Sequence, residues 1–101
     1  MTAGDLRLDP EEQSVRIRGG GPVTLTRLEF RLLQLLSAHA GRSISADRLT
    51  SHVWGYRGYG DRQLLKQLVR RLRRKVEDDP AHPRYIVTEA GVGYKLIPDP
   101  E

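Results

Sequence analysis

Residues 61–80 read DRQLLKQLVRRLRRKVEDDP and set seven cations between Arg62 and Lys75 with no acid among them. At 100° per residue, Leu65, Leu68, Val69, Leu72 and Val76 gather within about 100° of arc, the width of an ordinary core stripe. The opposite arc carries Gln63, Lys66, Gln67, Arg70, Arg71 and Arg74, with Arg62, Arg73 and Lys75 on the flanks. Asp61 is a good N-cap and Pro80 disfavours helix in the residue before it, so the spacing predicts a helix over residues 61–78. At about 1.5 Å per residue that helix is a rod of roughly 27 Å.

A face of this kind has two readings. One is a solvated amphipathic surface, the ordinary fate of basic helix faces. The other is a surface shaped to an anion, and two features favour it. Arg62, Lys66, Arg70 and Arg71 have no acids at i±4, as a self-neutralising helix would, so they repel one another until a polyanion compensates. The arc also mixes glutamine with arginine, whose bidentate forks match adenine and guanine edges in the major groove; lysine alone would attract phosphate without choosing sequence.

Working outward, Ser45 caps a shorter helix that carries Leu49, Val53 and Trp54 and stops at Gly55. GYRGYGD, residues 55–61, is a turn-rich connection. Upstream, LTRLEF announces another helix: Thr26 and Glu29 form a capping box, and Leu25 and Phe30 occupy the positions of a hydrophobic staple. Phe30, Leu32, Leu33 and Leu36 supply its apolar face, Leu28 points elsewhere, and Gly41 is its stop signal. Further back, Leu6 and Leu8, then Val15 and Ile17, alternate with polar residues as short strands around a turn at Pro10 and Glu11. Gly19 to Pro22 is a second turn before a strand at Val23 to Leu25. Beyond the basic helix, RYIVT and YKLI are strand-like and are joined by EAGVG, where Gly91 and Gly93 permit the positive φ angles of a tight hairpin. The order is strands, three helices, hairpin: an α+β chain with the outline of a winged helix-turn-helix.

The chain has 101 residues, enough for one modest core, with 17 basic against 13 acidic side chains and a net charge of +4. That balance suits nucleic acid or another anionic surface. Cysteine is absent, which removes disulfides and thiolate zinc sites and suits a reducing cytoplasm. There is no apolar run of membrane-spanning length, no signal peptide, no repeat and no low-complexity tract. His39, His52 and His82 stand far apart and without carboxylates at ligand spacing, so no metal is expected. Nucleophile and phosphate-loop motifs are missing, and GGGP precedes a strand rather than a helix, so neither catalysis nor a cofactor is expected.

Four ordered motifs then carry a resemblance: LT..EF.LL..L at 25–36, S...L...VWG at 45–55, RRLRRKVE.DP at 70–80, and Y..T..G.GY.L at 85–96. Over about residues 5–97 the chain resembles the OmpR/PhoB-type winged-helix effector domain of bacterial two-component response regulators. The resemblance implies an N-terminal antiparallel sheet, three helices and a C-terminal β-hairpin wing over residues 85–97. It implies that the third helix enters the major groove and the wing lies over the neighbouring minor groove. Gln63, Lys66, Gln67, Arg70, Arg71 and Arg74 then face DNA, with Arg62 and Arg73 at the flanks. Trp54, Thr88 and Tyr94 are ordinary core or strand residues by their own pattern, and donors to the DNA backbone by their place in the family. Tyr56, Arg57 and Tyr59 lie in a connection that in the family touches RNA polymerase; read alone, they are a linker rich in protein-contact residue types.

The chain departs from the family where relatives often carry arginine: Ala46 follows the capping serine, and Ala90 precedes the first wing glycine. Lys66 and Leu68 replace a frequent aspartate and histidine, so no target sequence transfers from a relative. The reading is a single winged-helix domain, residues 1–101, that binds double-stranded DNA sequence-specifically as the effector of a transcriptional response regulator in a phosphorelay. No receiver domain can be built within a chain this fold already uses, so the chain is expected to be either a fragment of a longer regulator or a stand-alone one. By resemblance, its partners are a fused receiver domain and a cognate histidine kinase in the full-length protein, RNA polymerase, and a second copy on tandem half-sites. The alternative is a winged-helix module for protein interaction with weak or no DNA binding; a steep salt dependence on DNA separates the two.

Overall fold

A computed structural model describes residues 1–55 and 61–101. The chain opens with four strands, β1 (Thr2–Ala3), β2 (Leu6–Asp9), β3 (Ser14–Ile17) and β4 (Val23–Thr24), paired antiparallel in that order. The register sets Leu6 opposite Ile17 and Leu8 opposite Val15. Leu6, Leu8 and Val15 are therefore buried while Arg7, Asp9 and Arg16 face out, the period-two alternation of a half-covered sheet. The Asp9 carboxylate accepts the N–H groups of Glu11 and Glu12, which turns the chain between β2 and β3. The sheet has one strand more than expected, since Thr2 and Ala3 pair with β2. β4 ends a residue early, leaving Leu25 buried just before the helix.

Helix α1 (Arg27–Ala38) begins as its sequence dictates. The Glu29 N–H donates to Thr26 Oγ1 at 3.2 Å, and the Thr26 N–H donates to Glu29 Oε1 at 2.8 Å. Its buried side chains include Phe30, Leu32, Leu33 and Leu36. Leu28 is half-buried. The helix closes at His39, two residues before Gly41, whose φ of +84° completes the turn.

The segment expected to be a plain link contains β5 (Ile44–Ser45), which pairs with the last strand. Two residues are too few to show a periodicity. Ser45 also caps α2 (Ala46–Trp54) by accepting from the Arg48 N–H at 3.1 Å, and Gly55, at φ 72°, ends that helix.

Helix α3 spans Arg62–Val76, and its Asp61 cap accepts from the Leu64 N–H at 3.1 Å. All five residues of its apolar stripe are buried. Two residues of the expected span are lost at its end because Glu77 turns into extended backbone. Its buried carboxylate collects the N–H groups of Arg84, Tyr85 and Ile86 at 2.8–3.1 Å. The helix thus ends where Glu77 serves backbone donors seven to nine residues further on.

The chain finishes in β6 (Ile86–Glu89) and β7 (Gly93–Leu96), and the second sheet has the order β5-β7-β6. Gly91 takes the positive φ of 77° that the turn requires. Gly93, expected to share that role, serves another: a Cβ there would meet Ile44 O at 2.1 Å and Ala46 N at 2.8 Å. Only glycine lets β5 and the start of α2 lie that close. Near the ends of the chain, the Asp5 N–H donates to Pro98 O at 2.9 Å, and the Tyr85 hydroxyl donates to Asp5 Oδ2 at 2.7 Å.

Candidate nucleic-acid interface

The burial of Leu65, Leu68, Val69, Leu72 and Val76 fixes the rotation of α3. Gln63, Leu64, Lys66, Gln67, Arg70, Arg71 and Arg74 are all exposed as a result. The remaining cations of the helix have partners within the chain. Arg62 reaches Asp47 at 3.9 Å between two well-exposed side chains, a pair worth little in water. Lys75 binds Glu29 Oε1 at 2.6 Å. Burial pushes the Glu29 carboxyl up, but the bond from Lys75 and the Thr26 N–H outweigh it and hold the group below its ordinary value. Glu29 thus caps α1 and ties it to α3, a link its place in a capping box did not reveal.

Arg73 is also turned inward. Its Nε donates to Ile86 O at 2.9 Å, its Nη2 donates to Thr88 Oγ1 at 3.1 Å, and its guanidinium carbon lies 5.7 Å from the centroid of the Tyr94 ring. Burial lowers its pKa, with Tyr94 and Glu77 acting in the other direction, though a guanidinium stays charged at any physiological pH. Three residues expected to face DNA are therefore brought together as the joint between α3 and the wing. Arginine has five N–H donors, so this joint leaves several of those on Arg73 uncommitted.

Among the described residues, Lys66, Arg70, Arg71 and Arg74 have no carboxylate partner. The outward arc is thus a block of unneutralised positive charge interleaved with two glutamines. Three of its cations lie within five residues, and their mutual repulsion is relieved when an anion lies against them.

Beside this arc, a crevice of about 140 Å³ separates the first half of α3 from the wing; Arg62, Lys66, Thr88, Tyr94, Ala46 and Ala90 line it. The two alanines that replace frequent family arginines therefore face a common space. Glu89, at the foot of the wing turn, is held by Lys95, which offsets its charge. Trp54 stands half-buried at the end of α2, packed against the core. No group among the described residues accepts from its indole N–H. Tyr56, Arg57 and Tyr59 lie outside the described residues.

Leu64, at the edge of the outward arc beside Arg71, is 41% exposed and is the apolar side chain that borders that face. Among the described residues, no group of three metal-ligating side chains could hold an ion, and no helix is long and apolar enough to cross a membrane.

Residues 20–96 match the family model for the C-terminal region of transcriptional regulatory proteins. The fold is shared with the Klebsiella pneumoniae RstA DNA-binding domain, solved in complex with the RstA box, at a TM-score of 0.80 and 30% identity, covering 97% of this chain and 96% of that one. The DNA-binding domain of Escherichia coli CpxR matches at a TM-score of 0.77 and 32% identity, covering 96% of this chain and 94% of that one. The Thermotoga maritima response regulator DrrB, an OmpR/PhoB homolog, matches at 0.79 and 32% identity over 93% of this chain, which spans 42% of DrrB.

Proposed function

Because this chain belongs to the family of C-terminal domains of transcriptional regulatory proteins, whose solved members include OmpR/PhoB-type response regulators, we propose that it binds double-stranded DNA sequence-specifically as such an effector. The family is one of transcription factors rather than enzymes. The observation that carries the reading is the exposed arc of α3, where Lys66, Arg70, Arg71 and Arg74 lack carboxylate partners and alternate with Gln63 and Gln67.

Helix α3 enters the major groove. Gln67 and Arg71 fork onto base edges, while the other cations, with Trp54, Thr88 and Tyr94, bind phosphate and fix the register. The β6–β7 wing lies along the adjacent minor groove, and Arg73 keeps it at a set angle to α3. We place residues 1–101 in one domain with its core at about 5–97, acting in the cytoplasm downstream of a receiver domain and histidine kinase. It sits as a dimer on tandem half-sites, with the connection at Tyr56, Arg57 and Tyr59 offered to RNA polymerase.

The test is selection of bound duplexes from a random pool, followed by titration of the best one against salt. Neutralising ~5 to 7 phosphates gives a slope of log K against log salt of about −4.5 to −6. A slope near zero, or a pool that never converges, favours a protein-interaction module instead.

A further inference from the structure

Among the described residues, Met1, Leu64 and Val92 are the large apolar side chains that stand exposed. A lone exposed leucine is ordinary on most surfaces. What sets Leu64 apart is its position. It lies in the first turn of α3, where its N–H donates to the Asp61 cap at 3.1 Å. At about 100° per residue it falls roughly 60° from Gln67 and roughly 20° from Arg71, so it borders the outward arc on the side of those two residues. Every exposed member of that arc is glutamine, lysine or arginine. Leu64 lies one turn before Leu68, about 40° from that edge of the core stripe, yet it is exposed and not part of the core.

In a recognition helix, the N-terminal residues are those that meet base edges. The apolar group that the major groove displays is the thymine C5-methyl. Gln63 and Gln67, on either side of Leu64, carry the amide that forks onto adenine N6 and N7. This turn of helix therefore presents amides suited to adenine and a methyl-bearing side chain suited to thymine. We infer that Leu64 is a specificity-determining residue that packs against a thymine methyl, at or next to the base pair read by Gln67, so that the first turn of α3 selects A·T pairs. The inference rests on the DNA-binding reading.

The experiment takes the best duplex from the random pool and replaces each thymine in turn with deoxyuridine, which removes the methyl and keeps the pairing. Wild type loses about fourfold in affinity at one thymine, the size expected for one methylene-sized group returned to water. Leu64→Ala weakens on the parent duplex by a similar factor and no longer responds to that replacement. Its melting matches wild type, because the side chain lies outside the core. Gln67→Ala, by contrast, keeps the response while losing base preference. If wild type and Leu64→Ala show the same deoxyuridine ratio at every thymine, or if the selected site has no thymine under α3, the Leu64 contact is refuted and the DNA reading stands. If wild type selects no duplex at all, the DNA reading falls and takes this contact with it.

Discussion

Replacing Arg73 with alanine should loosen the wing from α3 even in the absence of DNA. The side chain donates at 2.9 Å to the part-buried carbonyl of Ile86 and at 3.1 Å to the exposed Thr88 hydroxyl, and it lies 5.7 Å from the Tyr94 ring centroid. A hydrogen bond from a charged donor is worth about 1.5–3 kcal/mol when buried, and the half-exposed setting places this one at the low end. The contact with the tyrosine ring adds about 0.5–1 kcal/mol. The expected loss is about 2–3 kcal/mol, or a fall in Tm on the order of 10–20 °C for a domain of this size. Arg74→Ala is the matched control, since that side chain is exposed and lacks a carboxylate partner, so its stability should change by no more than ~0.5 kcal/mol. Arg73→Lys should fall between the two, because an ammonium cannot reach both acceptors as a fork. Thermal melts of the three variants, followed by circular dichroism, measure the stability. Titrations on preferred and scrambled duplexes should then show Arg73→Ala weakening both about equally. If Arg73→Ala melts as high as Arg74→Ala, the joint contributes nothing and Arg73 is simply another surface cation.

Gln67→Ala and Arg71→Ala should each lose about 1–3 kcal/mol on the preferred site and relax base preference there; uniform losses across sequences would exclude base readout by this face. Ala90→Arg should tighten binding by about 1 kcal/mol, mainly where A·T-rich flanks narrow the minor groove, as titrations on duplexes differing only in the flank will show. Indifference to the flank in both proteins would mean that the wing lies outside the groove. Glu29, whose pKa is lowered on folding, contributes stability that is complete above its ordinary value and fades as pH falls through the depressed folded one. Denaturant melts of wild type and Glu29→Gln should therefore differ at neutral pH and converge in acid; a gap that persists at low pH would show that the charge is not what stabilises.

What could be read from the sequence was local. Thr26 with Glu29, Ser45 and Asp61 each act within one helical turn, so side-chain chemistry alone announces them. The stripe on α3 is periodic over about three turns and fixes which residues face out. Contacts made across the fold were not legible. Glu77 leaves α3 for the backbone of residues 84–86, and Lys75, on the flank of the helix, reaches Glu29 on α1. Arg73 looks like its neighbours in the sequence and differs from them only because β6 passes beside it. β5 exists because β7 offers it a partner, and Gly93 is required by that approach rather than by a turn. Ala46 and Ala90, noted separately as departures from the family, are related only through the crevice they both line.

The bond between Asp5 and Tyr85 joins residues 80 positions apart, and that from Asp5 to Pro98 spans more of the chain still. The packing of α1, α2 and α3 needs only short loops. Closing a long loop loses more chain entropy than closing a short one, and non-local contacts gain nothing until the loop is shut. The helices and wing can therefore assemble early in folding, with the N-terminal sheet fastened to the C-terminal strands late. The Glu77 anchor and the Arg73 joint lie apart from that clasp in the chain, and neither uses Asp5. The contacts that join the wing to α3 are thus closed by short loops, while the first strands are fastened by contacts spanning most of the chain.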